Sequence, residues 1–380
     1  MIYNRPEYWL AKTETVVPYL TFSSPSSFTL AVGDATKHWD GTLEYSTDTS
    51  TWSTWDGTTS LSSAISGSDN VLYLRGIGNT IFSYFDEKEG PIPWAINGTD
   101  VRCDGNIETL LDYATVEAGQ HPVMAEACFG SLFFGCTALI TPPELPATTL
   151  ANNCYESMFS GCTNLIQAPK LPATTLAVAC YSYMFQGCTS LTQAPTLPAT
   201  TLAVACYSYM FQGCTSLIQA PTLPAITLAE GCYGVMFQGC TSLIQAPELP
   251  ATTLAEFCYR KMFEGCTSLT QVPELPVTTL ALGCYYYMFY NCTSLTQVPA
   301  LPAITLAKNC YNSMFYGCTK IKLSSTQTGE YTQEYRIPTT GTGTTATDAL
   351  YNMFASTGGT FTGTPVINTT YYLSNTNSVV

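Results

Sequence analysis

Sixteen of the 17 cysteines in this chain come in pairs spaced eight residues apart. They are Cys128/Cys136, Cys154/Cys162, Cys180/Cys188, Cys206/Cys214, Cys232/Cys240, Cys258/Cys266, Cys284/Cys292 and Cys310/Cys318, and only Cys103 stands outside the pattern. Thiols in such numbers can be disulfides, metal ligands, nucleophiles or small buried hydrophobes. Zinc is the sharper alternative, but its usual close Cys-x-x-Cys pairs are missing and the only histidines are His38 and His121. His121 precedes Cys128 by seven residues, yet a catalytic thiol needs exposure and a polarised setting, and Cys128 belongs to a repeated, buried column. His38 falls in a strand-and-turn region, where a structural or solvated role is expected.

Two further sets deserve chemical tests. Glu248 and Glu274 are one repeat apart, so adjacent rungs would bring them to about 5 Å, close to a retaining glycosidase pair. The same column holds Glu144, Lys170, Thr196, Thr222 and Ala300, which reads as drifting surface. Nucleophile elbow, P-loop and dinucleotide fingerprints do not occur. The expectation is a non-enzymatic protein without a cofactor or metal. The tyrosines form the other set: Tyr286, Tyr287, Tyr290 and Tyr316 fall on outward positions of the last two repeats, with Tyr183 and Tyr209 further back. Tyrosine suits recognition because its ring is rigid and its hydroxyl bonds at the rim.

The element that positions these residues is a 26-residue unit repeated eight times over residues 124–323, with a frame close to Cys-Tyr-x-x-Met-Phe-x-Gly-Cys. A fixed period of this size means stacked rungs. Residues 176–201 and 202–227 differ only at Thr192/Ile218 and Thr200/Ile226. In residues 172–198, Thr174 or Thr175 reads as an N-cap and Gly187 as a left-handed C-terminal residue, which predicts a helix of about ten residues between them. In the seventh repeat that glycine is Asn291, the next most tolerant residue.

At helical pitch Ala177, Cys180, Tyr181, Met184, Phe185 and Cys188 share one face, and Val178, Ala179, Ser182, Tyr183 and Gln186 the other. Position 183 varies through Ser157, Tyr209, Val235, Lys261, Tyr287 and Ser313, whereas the inward columns barely change. The helix would hold the paired thiols about 12 Å apart, beyond the roughly 7 Å a disulfide spans. A ladder of buried free thiols is therefore expected, comprising Cys154, Cys162, Cys180, Cys188, Cys206, Cys214, Cys232, Cys240, Cys258, Cys266, Cys284, Cys292, Cys310 and Cys318 in the central repeats. Beyond the helix, Leu191, Ala194 and Leu197 with Pro195 and Pro198 predict a short strand, stacked into a narrow parallel sheet carrying Gln167, Gln193, Gln219, Gln245, Gln271 and Gln297.

One repeat buries too little to fold alone, so caps are expected. Short alternating strands predict a β-sandwich at 18–93, preceded by an arm at 1–17 and followed by an N-terminal cap at 94–123. Ala349-Leu-Tyr-Asn-Met-Phe354 echoes the repeat, so 324–380 reads as a degenerate capping repeat and tail. The fold class is thus an α/β repeat solenoid of about eight helix-plus-strand rungs behind a small β-sandwich.

Acidic residues outnumber basic ones 27 to 13, a formal charge of −14, which argues against nucleic acid or an anionic membrane as partner. The first residues show no Sec signal pattern and no segment is apolar enough for membrane insertion. The expectation is a chain released by lysis or a mature fragment.

Phe185-Gln-Gly-Cys-Thr-Ser-Leu-Thr-Gln-Ala-Pro-Thr-Leu-Pro resembles the BspA-like class of leucine-rich repeats, with its Phe-x-x-Cys-x-x-Leu core and Leu-Pro. The resemblance implies adhesion at a bacterial or parasite surface. The layout of Leu20-Thr-Phe-Ser-Ser-Pro, Gly105-Asn-Ile-Glu-Thr-Leu-Leu-Asp-Tyr and the array is also similar to leucine-rich-repeat proteins of gut bacteria and their prophages. That implies a phage tail fibre or tail tip, a virion location, and a receptor-binding role toward a host-cell surface protein or glycan, with other virion proteins or self-association as further partners. A bacterial cell-surface adhesin is the alternative, a carbohydrate-active enzyme the remote one, and a spacer a third: eight rungs at about 4.8 Å give a rod near 40 Å, short for that purpose.

Overall fold

Each repeat packs its cysteines, tyrosine, methionine and phenylalanine inward, but the backbone that carries them is not helical. In this computed structural model, which describes residues 17–34, 37–82, 85–86 and 90–380, the only helix among the described residues is Thr109–Glu117. The expected arm, apart from Val17, and residues 87–89 lie outside the described residues.

The repeat is a run of successive tight turns in place of the expected helix. In the third rung Ala179, Tyr183 and Gly187 all have left-handed φ, at 50°, 57° and 70°. A left-handed residue at every fourth position breaks an α-helix, and the pattern recurs in every rung, including Asn291 at 58°. Alternate amides serve two purposes. Cys180, Ser182, Met184, Gln186 and Cys188 donate three residues back within the rung, at 3.0–3.4 Å. Ala179, Tyr181, Tyr183, Phe185 and Gly187 donate to Val204, Cys206, Ser208, Met210 and Gln212 of the next rung, at 2.8–3.0 Å. The backbone is thereby satisfied without a helix. Thr174 and Thr175 are not N-caps; both are exposed, and Thr175 bridges Thr149.

A four-residue turn period brings residues i, i+1, i+4, i+5 and i+8 to one side, the same set a 3.6-residue helix would collect. Cys180, Tyr181, Met184, Phe185 and Cys188 are accordingly buried. The outward set differs: Ser182, Val235 and Ser313 are buried, contrary to the helical assignment. The aromatic rings stack rung upon rung in two parallel files, one from Phe133 through Phe159 and Phe185 to Phe315 and Phe354, the other from Phe129 through Tyr155 to Tyr311, with centroids 5.5–5.9 Å apart.

The proline side is held more sparsely. Where a narrow parallel sheet is expected, most rungs make isolated bridges, Gln193 to Gln219 to Gln245 to Gln271, and Thr201 to Thr227 to Thr253. Prolines remove donors from this stretch. At the far end Gln297–Val298 pairs in parallel with Ser378–Val379, while Leu323–Ser324, Thr370–Ser374 and Tyr331–Arg336 form a separate small sheet. The turn pattern continues at Asp348, Asn352 and Ser356, where Tyr311, Ser313, Phe315 and Gly317 donate to Ala349, Tyr351, Met353 and Ala355.

Before the array lie a seven-stranded sheet and a three-stranded one. The first runs Leu139–Thr141, Val101–Asp104, Leu20–Ser24, Asp69–Ile77, Thr42–Ser46, Ser53–Trp55, with Ala64–Ser66 also on Asp69–Ile77; the second runs Trp94–Asn97, Thr29–Val32, Leu61–Ser62. The expected boundary at residue 93 is crossed, because Trp94–Asn97 and Val101–Asp104 are strands of these sheets. Val101–Asp104 also pairs in parallel with Leu139–Thr141 of the first rung. Ring contacts join the two parts: Phe82 stacks on Phe129 at 6.1 Å and Trp94 meets Phe133 edge-on at 6.1 Å. One apolar core therefore runs from the sheets into the rungs.

Candidate ligand-binding face

The turn run leaves two columns at the rim, represented by positions 183 and 186 of the third rung, and a third, that of Ser182, which is buried in rungs three to five and comes to the rim at Arg260 and Tyr286. Because interior and backbone repeat almost unchanged, these columns vary without disturbing the stack. In rungs six to eight they gather polar and aromatic groups into one strip. Tyr286 and Tyr287 have ring centroids 4.3 Å apart, Tyr287 and Tyr290 are 5.0 Å apart, and Tyr290 and Tyr316 stack at 4.7 Å. All four are half-buried. Tyr183 and Tyr209 form a second stacked pair at 4.3 Å, separated from the first set by Val235 and Lys261 in the same column.

Lys261 sits between, its ammonium 5.4 Å above the Tyr287 ring and 3.0 Å from a Glu264 carboxylate oxygen. Arg260 occupies the 182 column, one rung before Tyr286. In the 186 column the amides of Gln186, Gln212 and Gln238 hydrogen-bond in succession, and Ser160 donates to Gln186 at 3.2 Å. Burial, followed by the neighbouring Tyr209 phenol, pushes the Tyr183 hydroxyl up to about 12. Burial raises Tyr286 and Tyr290 as well. These phenols are neutral donors and acceptors at ordinary pH. The sequence columns placed the six tyrosines but passed over Arg260 and Glu264, although Arg260 lies one period before Tyr286 and Glu264 one before Tyr290.

The other candidates fall elsewhere. Glu248 and Glu274 are exposed in a proline-lined groove with Pro247 and Pro273, and among the described residues neither makes an ion pair or side-chain hydrogen bond. His38 Nε2 lies 2.6 Å from Asp34. His121 Nδ1 lies 2.7 Å from the carboxylate of Glu108, whose pKa burial raises and His121 partly restores. Cys128 has no exposure, and burial pushes its thiol well up.

All 17 cysteines are buried and unpaired. With turns in place of a helix, helical rise does not set the spacing of the thiols within a repeat, and the second thiol of the pair bonds to the backbone. From Cys162 to Cys318 the second thiol of each pair donates to a phenylalanine carbonyl of the preceding rung, as Cys188 does to Phe159 at 3.1 Å. Desolvation raises Cys214 and Cys266 to about 12. No group of three or more His, Cys, Asp or Glu side chains able to hold a metal occurs among the described residues.

No curated protein and no solved structure matches the chain. A family model does, in six repeat copies over residues 130–244 and 234–335, which is more than half of the chain. The turn-built rungs, the thiol and ring ladders and this match lead to one assignment: the chain belongs to the family of BspA-type leucine-rich repeat proteins.

Proposed function

We propose that the chain is a non-enzymatic binding protein of adhesin type, and that its ligand seats on the tyrosine strip of rungs six to eight. The observation that carries this reading is the joining of Tyr286, Tyr287, Tyr290 and Tyr316 into one contiguous, half-buried set on a face whose columns vary while the interior repeats. Clustered rigid aromatics with hydroxyl rims are what recognition surfaces enrich. Family membership supports an adhesive role. The finer setting we propose is the tip of a phage tail fibre, where the strip meets a bacterial surface protein or glycan; a bacterial cell-surface adhesin is the alternative. Tail and lysis genes beside the coding sequence would favour the first, secretion and sorting genes the second.

The test replaces Tyr286, Tyr287 and Tyr290 together with serine and measures binding to a panel of bacterial and host cells. Loss of binding is expected, with the circular dichroism spectrum unchanged because none of the three lies in the core. Binding equal to the parent chain's would overturn the assignment of the strip.

A further inference from the structure

Among the described residues, one cation on the strip has no acidic partner. Among the described residues the guanidinium of Arg260 makes no ion pair and no hydrogen bond, whereas its neighbour Lys261 is held by Glu264 at 3.0 Å. In the same column Gly234 stands one rung before it and Ser208 two, both buried, whereas Arg260 itself is half-buried. Burial and neighbouring rings push the phenols of Tyr183 and Tyr286 up, and Arg260 is the charge that pulls both back. Arg260 stands in the column of Tyr286, one rung before it.

Ring orientation narrows the ligand. Tyr183 and Tyr209 lie 11° from parallel at 4.3 Å, and Tyr290 and Tyr316 9° from parallel at 4.7 Å, so these rings cover one another's faces along the stack. Their edges are left at the half-buried rim. A ring edge carries the positive end of the quadrupole, so the strip offers donors more than a flat π surface. Beside it runs the amide ladder of Gln186, Gln212 and Gln238. Tyrosine hydroxyls set on rungs three, four, seven and eight suit a polymer that itself repeats hydroxyls, and an unpaired guanidinium fork suits a carboxylate received by two parallel bonds.

Building on the proposed binding role of this face, we propose that the ligand is a carboxylated polysaccharide, with Arg260 receiving a uronate carboxylate and the flanking tyrosines bonding the adjoining sugar hydroxyls. The attraction is local to Arg260, because the formal charge of −14 on the whole chain opposes a dense polyanion.

The full chain is titrated with polygalacturonate and hyaluronate, with carboxyl-reduced forms of both, and with poly-glutamate. Binding to at least one uronate polymer is expected, weakened about tenfold or more by carboxyl reduction, as the loss of one charge-assisted pair predicts. Arg260→Gln should show the same loss toward the uronate polymer and none toward its reduced form, and Arg260→Lys should recover part of it. The proposal is overturned if neither uronate polymer binds, if the reduced forms bind equally well, or if poly-glutamate binds as tightly. Should uronate binding be absent while cell binding still depends on Tyr286, Tyr287 and Tyr290, the strip survives and its carboxylate ligand does not.

Discussion

The two long sides of each rung come from one 26-residue unit but are held together very differently. On the turn side every second amide crosses to the next rung, as Tyr181, Tyr183 and Phe185 do to Cys206, Ser208 and Met210, and two files of rings lie just beneath. On the proline side contact between rungs narrows to isolated bridges such as Gln219 to Gln245. The turn side is therefore the spine of the stack. A spine satisfied by backbone and interior alone leaves its outer side chains free to change, and that is where the tyrosines and Arg260 collect.

The largest expected effect comes from breaking the spine beneath its surface. Phe211 is fully buried between Phe185 and Phe237 at 5.6 and 5.7 Å, and Phe211→Ala should cost about 3–5 kcal/mol in denaturant unfolding. A cost below about 1 kcal/mol would mean that the ring file is not the source of cohesion.

Thiol reactivity sharpens the same contrast. Burial disfavours the thiolate, raising Cys214 to about 12, so at pH 8 the nucleophilic form is scarce in the folded chain. Iodoacetamide should label the native protein slowly and all 17 cysteines quickly in denaturant. Fast native labelling of the paired cysteines would show that the rungs open readily.

The smallest effects compare the two sides directly. Gly187 has φ of 70°, and an added Cβ would meet Gly161 at an ordinary 3.9 Å, so Gly187→Ala should cost about 1–2 kcal/mol from the backbone alone. On the proline side, exposed Gln219→Ala should stay within about 0.5 kcal/mol. Equal costs in thermal or chemical melts would remove the distinction between the sides.

Much of the array is legible in its letters because a buried position repeated eight times leaves a column that barely varies. Cys180, Tyr181, Met184, Phe185 and Cys188 are identified as interior on that ground alone. The turn conformation escapes because its period of four selects the same inward residues as a helix. A signal was present in the column of Ala179, where Asn153, Gly231, Gly283, Asn309 and Asp348 favour left-handed φ, but Tyr183 and Phe257 adopt it with no such hint. Bonds to the next rung offset that cost, and no single repeat contains its own partner for them.

The six tyrosines were readable on three variable columns, whereas their division into two stacked sets was not, since it depends on which rung meets which. Sequence alone determined the period and the interior columns, because each is a property of one repeat compared with the next. Only the tertiary structure decided the turn-built backbone, the strand shared between the N-terminal sheet and the first rung, and the guanidinium of Arg260 left without an acidic partner among the described residues. Each of these rests on hydrogen bonds and charges contributed by segments far apart along the chain, so no local stretch of residues specifies it.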